Sequence, residues 1–225
     1  MVHANSTAKN YPCFSNKGLR SDALRLRLSS GCNLQCARCA TATEQAVRRS
    51  LDRAGMTLMT EAGAFDLVRS RMEGKDRPAV VEIAGPGEPL LHAGTYMLMR
   101  QLNTAYPDLP VSLWTNGVLL PDRLKELVRS GLRSIVLTMN AVSQDTADRL
   151  YESVIYRARR YAGRDASHLI LRQQWSGLAN AVEAGIAVTV YGVRVPGIND
   201  HEIDRIESRA RSLGVDQILI VDADL

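Results

Sequence analysis

Three thiols stand within eight residues of this chain, in the stretch Cys32-Asn33-Leu34-Gln35-Cys36-Ala37-Arg38-Cys39. The spacing leaves three residues and then two between the cysteines, so a short loop can turn their sulfurs toward one centre. Thiolates are soft ligands, which select iron–sulfur clusters, zinc or copper(I). A cubic 4Fe-4S cluster needs four ligands and this loop offers three, so one iron would stay open to a small molecule.

A zinc site is the first alternative to a cluster. Structural zinc sites are four-coordinate, and their ligands usually come as two Cys or Cys/His pairs. This chain has no second pair, because its only other cysteine is Cys13 and its four histidines are scattered without ligand-like spacing. A disulfide framework is also disfavoured, since four cysteines in 225 residues fall far below the density of small secreted scaffolds.

The composition is that of a globular protein with one large domain or at most two. Hydrophobic residues make up 45% of the 225 residues, and the net charge is only +4. A basic run, Arg157-Ala158-Arg159-Arg160 followed by Arg164, could bind phosphate or nucleic acid, but such a run is more often the solvated face of a helix. Aromatic residues, at 5%, are too sparse for a base-stacking platform, so the sequence favours small molecules over nucleic acid.

The opening residues, Met1 to Thr7, lack the basic start and apolar core of a signal peptide. No uninterrupted apolar run approaches the roughly 20 residues that span a bilayer. We therefore expect a cytoplasmic protein with no membrane contact, in a compartment where thiols stay reduced.

Short β-branched runs alternate with helical stretches that end at glycine, which is the pattern of βα units around a parallel sheet. Pro121 is expected to open one helix and Gly131 to end it, Gly185 ends a second, and Asn199 or Asp200 caps a third. The predicted strands are Ala23–Leu28, Ala79–Ala84, Val111–Trp114, Ser134–Asn140, Ala187–Val193 and Gln217–Asp222.

Six such units predict an α/β fold, a partial (βα)6 TIM-like barrel with a parallel sheet. We expect residues 23–225 to form this core domain and residues 1–22 to form an N-terminal arm or cap. Active sites of such barrels lie at the C-terminal ends of the strands, and the cysteine loop directly follows the first strand.

Three further strand ends carry candidate binding residues. The second strand runs into Gly85-Pro86-Gly87-Glu88, where the backbone can approach a ligand and a carboxylate with nearby carbonyls suits an ammonium group. The third ends in Thr115-Asn116-Gly117 and the fourth in Thr138-Met139-Asn140-Ala141, whose threonine and asparagine side chains can donate and accept hydrogen bonds. Each segment alone is also an ordinary turn, but together and in order they indicate a binding site.

The chain therefore resembles the radical S-adenosylmethionine (radical SAM) superfamily, whose signature is Cys-x3-Cys-x2-Cys after the first strand of such a barrel. The resemblance implies that three cysteines hold a 4Fe-4S cluster whose open iron binds SAM. It also implies that the glycine turn and its glutamate bind the amino group of SAM, and that polar strand ends contact its carboxylate and ribose. The implied metal ligands are Cys32, Cys36 and Cys39, and the implied cofactor-binding residues are Gly85, Gly87, Glu88, Thr115, Asn116 and Asn140.

Within that superfamily the chain is most similar to the NifB-type maturases that build the nitrogenase cofactor core. Five segments carry this similarity: Pro12-Cys13-Phe14-Ser15, Ala84 to Leu90, Thr115-Asn116-Gly117, Tyr151 to Gly163, and Pro196-Gly197-Ile198-Asn199-Asp200.

The chain also departs from those maturases. Tyr11 replaces their histidine, Arg38 replaces an aromatic residue beside the last cysteine, and residues 40–55 contain no cysteine. One spare thiol, that of Cys13, cannot hold two or more substrate clusters. The resemblance therefore implies a relative with a repurposed, smaller pocket.

The implied activity is reductive cleavage of SAM to a 5′-deoxyadenosyl radical, which abstracts hydrogen from a small-molecule, peptide or metallocluster substrate that the sequence does not identify. The reductant would be a protein such as ferredoxin or flavodoxin, and the enzyme would be oxygen-sensitive. Cys13 and Tyr191 are the weak candidates for a catalytic side chain, although each also suits a packed position. Two alternatives stay open: a non-enzymatic iron–sulfur carrier or scaffold, and an RNA-modifying member of the superfamily that binds through the Arg157–Arg164 run.

Overall fold

The computed structural model describes residues 22–37, 39, 58–215 and 217–223. Its main feature is a six-stranded sheet in the order β1-β3-β4-β5-β8-β9, in which every neighbouring pair is parallel. The strands, numbered along the chain, are β1 (Ala23–Arg27), β3 (Val80–Ala84), β4 (Val111–Thr115), β5 (Ser134–Thr138), β8 (Ala187–Arg194) and β9 (Gln217–Asp222). All six predicted strands are confirmed, each within two residues of its expected ends.

Six α-helices are described, and most of them connect successive strands of the sheet. The helices are α1 (Glu61–Glu73), α2 (Ala93–Ala105), α3 (Leu120–Arg129), α4 (Gln144–Leu150), α5 (Gly163–Glu183) and α6 (Ile203–Ser212). Two short 3-10 helices, Pro89–Leu91 and Asp200–Glu202, lie between them. This strand–helix alternation is the predicted α/β architecture of a partial barrel.

Alternate residues along the strands belong to two separate apolar clusters, one on each face of the sheet. In β4, Leu113 belongs to the cluster beneath the outer helices and Trp114 to the inner cluster. In β5, Ile135 and Val136 divide in the same way. Because both faces are covered, the strands read as nearly continuous apolar runs, which is why the sequence predicts them well.

A second, antiparallel sheet covers the inner face, and the sequence did not predict it. Its strands are β2 (Leu34–Cys36), β6 (Tyr151–Tyr156) and β7 (Arg159–Ala162), in the order β2-β6-β7. The interpretation of the Arg157–Arg160 run as a helix face is therefore wrong. Arg157 and Ala158 have φ angles of 49° and 61°, so they form the left-handed corner of a hairpin, a position usually taken by Asn or Gly.

The expected ends of two helices are confirmed, and the expected cap of a third helix is wrong. Pro121 lies in the first turn of α3, and Gly131 and Gly185 follow helices with φ angles of 87° and 73°. The N-cap of α6 is Glu202, and Asn199 occupies only the N-cap position of the preceding 3-10 helix, where its buried side chain makes no capping hydrogen bond. Its Nδ2 donates to the carbonyls of Asn140 and Val193, both at 2.9 Å, and its Oδ1 accepts from the Val195 N–H at 2.6 Å.

The expected N-terminal arm, residues 1–22, lies almost wholly outside the described residues, as do Cys13 and Arg38. Within the described ranges, no helix has the length and apolar character needed to cross a membrane.

The Asn199 bridge gives a stability prediction. Asn199→Ala leaves one buried N–H and two buried carbonyls without their partner, so we expect the free energy of unfolding to fall by about 3 kcal/mol. Denaturant unfolding monitored by circular dichroism measures this change. Asn180→Ala is the matched control, since the half-buried Asn180 side chain on α5 makes no hydrogen bond within the described part of the chain and its loss should cost less than about 0.5 kcal/mol. Equal stability of the two variants would contradict the prediction.

Candidate functional site

The carboxyl ends of β1, β3, β4 and β5 meet at one edge of the sheet, beside the cysteine loop. A cavity opens there between that loop, the glycine turn after β3 and helix α5. Its lining residues are Cys32, Leu34, Cys36, Cys39, Pro86, Gly87, Asn116, Thr138, Asn140, Tyr151 and Gln174. The structure thus brings all three cysteines of the motif to the same cavity as the predicted strand ends.

The cysteine loop is held in place by its neighbours. Its short strand β2 pairs with β6, and the Ala37 N–H donates to the Leu150 carbonyl at 2.9 Å. The Cys32 side chain is exposed, whereas Cys36 and Cys39 are half-buried. Among the described residues, no three His, Cys, Asp or Glu side chains are close enough to hold a single metal ion. A cubic cluster binds its thiolates at separate corners and so needs them further apart.

The environment of the sulfurs suits a bound iron–sulfur cluster. The Cys32 Sγ accepts from the Leu34 N–H at 3.4 Å and from the Asn116 Nδ2 at 3.7 Å, so donors already face this sulfur. Burial, followed by the neighbouring Cys32 and Cys39, raises the pKa of the Cys36 thiol well above its usual value. Ionisation of Cys36 is therefore disfavoured unless bound metal supplies positive charge beside it, as it does for metal-ligating thiols.

The two glycines of the turn allow it to touch the cysteine loop. The Gly87 N–H donates to the Ser29 carbonyl at 3.2 Å, and the Glu88 N–H donates to the Gly31 carbonyl at 2.8 Å. A Cβ on Gly87 would lie 2.6 Å from the Ser30 carbonyl carbon, and one on Gly85 would lie 2.9 Å from the Ser29 oxygen. The close backbone approach expected here is made by the segment that leads into Cys32.

Glu88 is completely buried and does not line the cavity. Its Oε1 accepts from the Leu90 N–H at 3.0 Å and from the Thr115 hydroxyl at 2.8 Å, and its Oε2 accepts from the Asn116 N–H at 2.7 Å. Burial raises the pKa of this carboxyl to about 7, against the opposing effect of these hydrogen bonds. The structure thus joins Glu88 to Thr115 behind the cavity wall, where they fix the start of the Asn116 turn.

Asn116 and Asn140 do line the cavity, and both are anchored. The Asn116 Nδ2 donates to the Asn33 Oδ1 at 2.8 Å, and its Oδ1 accepts from the Val118 N–H at 3.0 Å. The Asn140 Oδ1 accepts from the Val193 N–H at 2.8 Å. These bonds fix the orientation of both side chains at the edge of the cavity.

Two further polar residues line the cavity wall: Thr138, which the sequence placed at the end of the fourth strand without a binding role of its own, and Gln174, which sequence reasoning missed. The Gln174 Nε2 donates to the carbonyls of Asn116 at 2.8 Å and Thr138 at 3.1 Å, which ties α5 to the ends of β4 and β5. The Gln174 Oε1 and the Thr138 Oγ1 are buried and have no hydrogen-bond partner in the described chain. The sequence gives one indication of the role of Gln174, because this glutamine lies within the apolar stripe of α5, between Leu171 and Leu178.

Tyr191 is the register partner of Thr138 on the neighbouring strand but does not itself line the cavity. It is fully buried in the inner apolar cluster, with its ring centroid 5.2 Å from that of Trp114.

Comparison with known proteins gives matches over most of the chain. The model of the Radical SAM superfamily matches residues 26–210. The FeMo cofactor biosynthesis protein NifB of Klebsiella pneumoniae is 31% identical over 209 residues, which cover 92% of this chain and 44% of that protein. NifB of Frankia alni is 30% identical over 207 residues, covering 91% of this chain and 40% of that protein. The chain thus spans less than half the length of these curated relatives.

Two solved structures resemble this fold at low sequence identity. Streptococcus suis SuiB matches with a TM-score of 0.66 and 14% identity, over 96% of this chain and 41% of that one. Native anSMEcpe with bound AdoMet and Cp18Cys peptide matches with a TM-score of 0.56 and 15% identity, over 89% of this chain and 50% of that one.

The contact between the glycine turn and the cysteine loop gives a matched pair of variants. Gly87→Ala forces the backbone at Ser30 and Gly31 to move, so we expect the iron and sulfide content after anaerobic reconstitution to fall at least about fivefold while the fold is retained. Gly31→Ala is the control, because a Cβ there meets nothing within 4 Å. Iron and sulfide assays beside circular dichroism make the measurement, and equal loading of the two variants would contradict the expectation.

Proposed function

Because the chain belongs to the radical SAM superfamily, whose model matches residues 26–210, we propose that the cysteine loop and the cavity beside it are the working site of this enzyme. The enzyme binds a 4Fe-4S cluster and SAM, and its substrate is unidentified. The cluster and SAM together would supply the chemistry, which is reductive cleavage of SAM to the radical that removes hydrogen from a substrate. The supporting observation is that one cavity is lined by the three motif cysteines and by Thr138 and Gln174, each of which has a buried side-chain oxygen with no hydrogen-bond partner among the described residues.

We assign Cys32, Cys36 and Cys39 as the cluster ligands. Three thiolates leave one iron of a 4Fe-4S cluster free for SAM. The hydrogen bonds from the Leu34 N–H and the Asn116 amide to the Cys32 sulfur support this role, because donors stabilise the negative charge of a ligating thiolate.

SAM would then bind along the cavity wall. The turn from Gly85 to Gly87 would offer its backbone to the amino group, and the amides of Asn116 and Asn140 would face the carboxylate and ribose. We add Thr138 and Gln174, whose unpartnered oxygens can accept a hydrogen bond from a ligand. The chain's other two candidates, Glu88 and Thr115, would act from behind the wall, because their side chains hold the Asn116 backbone rather than face the cavity.

The remaining assignments follow from this chemistry. Residues 23–225 would form the catalytic core and residues 1–22 an arm or cap. The enzyme would work in the cytoplasm, would be oxygen-sensitive, and would take its electron from a ferredoxin or flavodoxin. Its substrate would be a small molecule, a peptide or a metallocluster; the similarity to NifB, named for FeMo cofactor biosynthesis, supports testing a metallocluster first.

The first test of this function is anaerobic SAM cleavage. Protein reconstituted with iron and sulfide, reduced with dithionite and given SAM should form 5′-deoxyadenosine, measured by liquid chromatography. Cys36→Ala should abolish product, whereas Cys13→Ala, which removes the only cysteine outside the motif, should retain it. A cluster that forms but neither binds nor cleaves SAM would contradict the proposal and favour a carrier or scaffold role for the loop, whereas SAM binding without cleavage would mean that the substrate has to bind first.

The second test concerns the unpartnered hydroxyl of Thr138. Thr138→Val removes a buried group that has no partner among the described residues. We therefore expect the free energy of unfolding, measured without SAM, to rise by about 1 kcal/mol. If SAM uses this hydroxyl, its Kd for the reconstituted protein should rise about tenfold, which calorimetry would detect.

Thr95→Val is the matched control for that test. The buried Thr95 hydroxyl donates to the Pro89 carbonyl at 2.8 Å, so its loss should lower the free energy of unfolding by about 1 kcal/mol and leave the Kd of SAM unchanged. Unchanged SAM affinity in both variants would remove Thr138 from the SAM site.

A further inference from the structure

A groove lies between helices α5 and α6, and it shares no lining residue with the cavity beside the cysteine loop. Its volume is about 510 Å³. We call it the α5–α6 groove and define it by His168, Arg172, Trp175, Ala179, Arg209 and Leu213. The proposed function does not use this groove, so its side chains need a separate explanation.

The α5–α6 groove has an excess of positive charge. Arg172 comes from α5 and Arg209 from α6, His168 lies one turn before Arg172, and no described carboxylate lines the groove. Neither guanidinium group has an ion-pair partner in the part of the chain that the structure describes. Two arginines that face one groove without a carboxylate repel each other, and an anion would relieve that repulsion.

Acidic residues appear only in the recess that adjoins the groove. Asp204 and Arg205 line this recess, and Arg205 is already paired with Glu202 at 3.0 Å. The charge of Arg205 is therefore largely compensated. The uncompensated positive charge of this region belongs to the groove itself.

Helical spacing and ring stacking bring the two arginines together. Residues three positions apart on a helix are surface neighbours, so Arg172 lies beside Trp175 on α5. The guanidinium of Arg209 lies over the Trp175 ring, with its Cζ 4.1 Å from the ring centroid. The two guanidinium groups thus flank one indole ring, and the stack restricts the rotamers of Arg209 before any ligand binds.

Trp175 itself contributes an N–H group that the chain does not satisfy. The side chain is 6% exposed, and its buried Nε1 has no acceptor among the described residues. A buried indole N–H usually has an acceptor. The groove therefore holds hydrogen-bond donors in excess of the acceptors that the chain supplies around them.

These donors suit a phosphate group better than a carboxylate or a nucleic acid. A guanidinium group binds two oxygens of one anion, so a pair of them offers more donors than the two oxygens of a carboxylate can use. The phosphate of a monoester has three free oxygens and nearly two negative charges. A nucleic acid fits less well, because Arg209 occupies a ring face on which a base would stack and Asp204 would repel the backbone alongside.

We propose that the α5–α6 groove binds the phosphate group of a small molecule, at a site separate from the cavity beside the cysteine loop. Arg172 and Arg209 would bind the phosphate oxygens, while Ala179 and Leu213 would contact an apolar part of the ligand. Trp175 directly follows Gln174, which lines the other cavity, so the two sites lie against the same turn of α5. The proposal does not depend on a bound cluster or on SAM.

The first test is calorimetric titration of the 225-residue chain with inorganic phosphate at constant ionic strength. The wild type should bind phosphate with a Kd of about 1 mM or lower, and Arg172→Gln/Arg209→Gln should raise that Kd at least about tenfold. Arg100→Gln is the matched control, because Arg100 is an exposed arginine on α2 without an ion-pair partner among the described residues. No phosphate binding by the wild type, or an equal Kd in the double variant, would overturn the proposal.

Arg209→Lys separates a built site from diffuse positive charge. Lysine keeps the charge but lacks the planar group that stacks on Trp175 and binds two oxygens at once, so the Kd should rise at least about threefold. A Kd equal to that of the wild type would contradict the proposed geometry.

The fluorescence of Trp175 reports where the phosphate binds. The chain has two tryptophans, so Trp114→Phe leaves Trp175 as the only one. Phosphate should change the fluorescence of this variant with the Kd that calorimetry gives, and adding Arg209→Gln should abolish the change. Calorimetric binding without a change in fluorescence would place the phosphate elsewhere and overturn the proposal.

Two further titrants test the class of ligand. Phenyl phosphate should bind more tightly than inorganic phosphate, because its ring can contact the apolar side chains of the groove. Acetate, with one charge and two oxygens, should bind at least about tenfold more weakly than phosphate. Equal affinity for acetate and phosphate would make the phosphate assignment wrong, and weaker binding of the ester than of free phosphate would rule out a small organic phosphate as the ligand.

Discussion

The site depends on backbone hydrogen bonds that hold the segment from Ser29 to Cys36 on two sides. On one side the glycine turn donates through the N–H groups of Gly87 and Glu88, and on the other side β6 pairs with β2. A loop of this length with an exposed Cys32 buries too little apolar surface to fix its own shape. The positions of the three sulfurs are therefore set by contacts with two segments that lie far away in sequence.

A buried carboxylate extends this support to the next strand end. Both carboxylate oxygens of Glu88 accept hydrogen bonds, and the donors belong to Leu90, Thr115 and Asn116. Burial makes such a carboxyl costly to ionise, as its raised pKa reflects, but three donors offset much of that cost. Since the Asn116 amide in turn reaches the Cys32 sulfur and Asn33, a shift at Glu88 would reach the cysteine loop through one intervening residue.

The sequence was enough to predict the six parallel strands and the residues at their carboxyl ends. Strands covered on both faces are continuous apolar runs, and the cysteine spacing and glycine turn follow two of them directly. The hairpin escaped prediction because its corner is Arg157-Ala158, which lacks the glycine or asparagine that usually marks a left-handed turn. The inward position of Glu88 and the role of Gln174 could not be predicted for another reason. Tertiary contacts decide which side chains pair with which backbone groups.

The unpartnered oxygens of Thr138 and Gln174 argue for a ligand more strongly than the motif residues around them. A buried polar atom without a partner costs about 1–3 kcal/mol, and a valine at position 138 would avoid that cost, since the Thr138 hydroxyl has no partner among the described residues. Gln174 also uses its amide nitrogen to bridge two strand ends, and the residue lines the cavity that the cysteines share. Two residues with such atoms in one cavity wall, beside the three motif cysteines, favour a polar ligand next to the proposed cluster rather than a cluster alone.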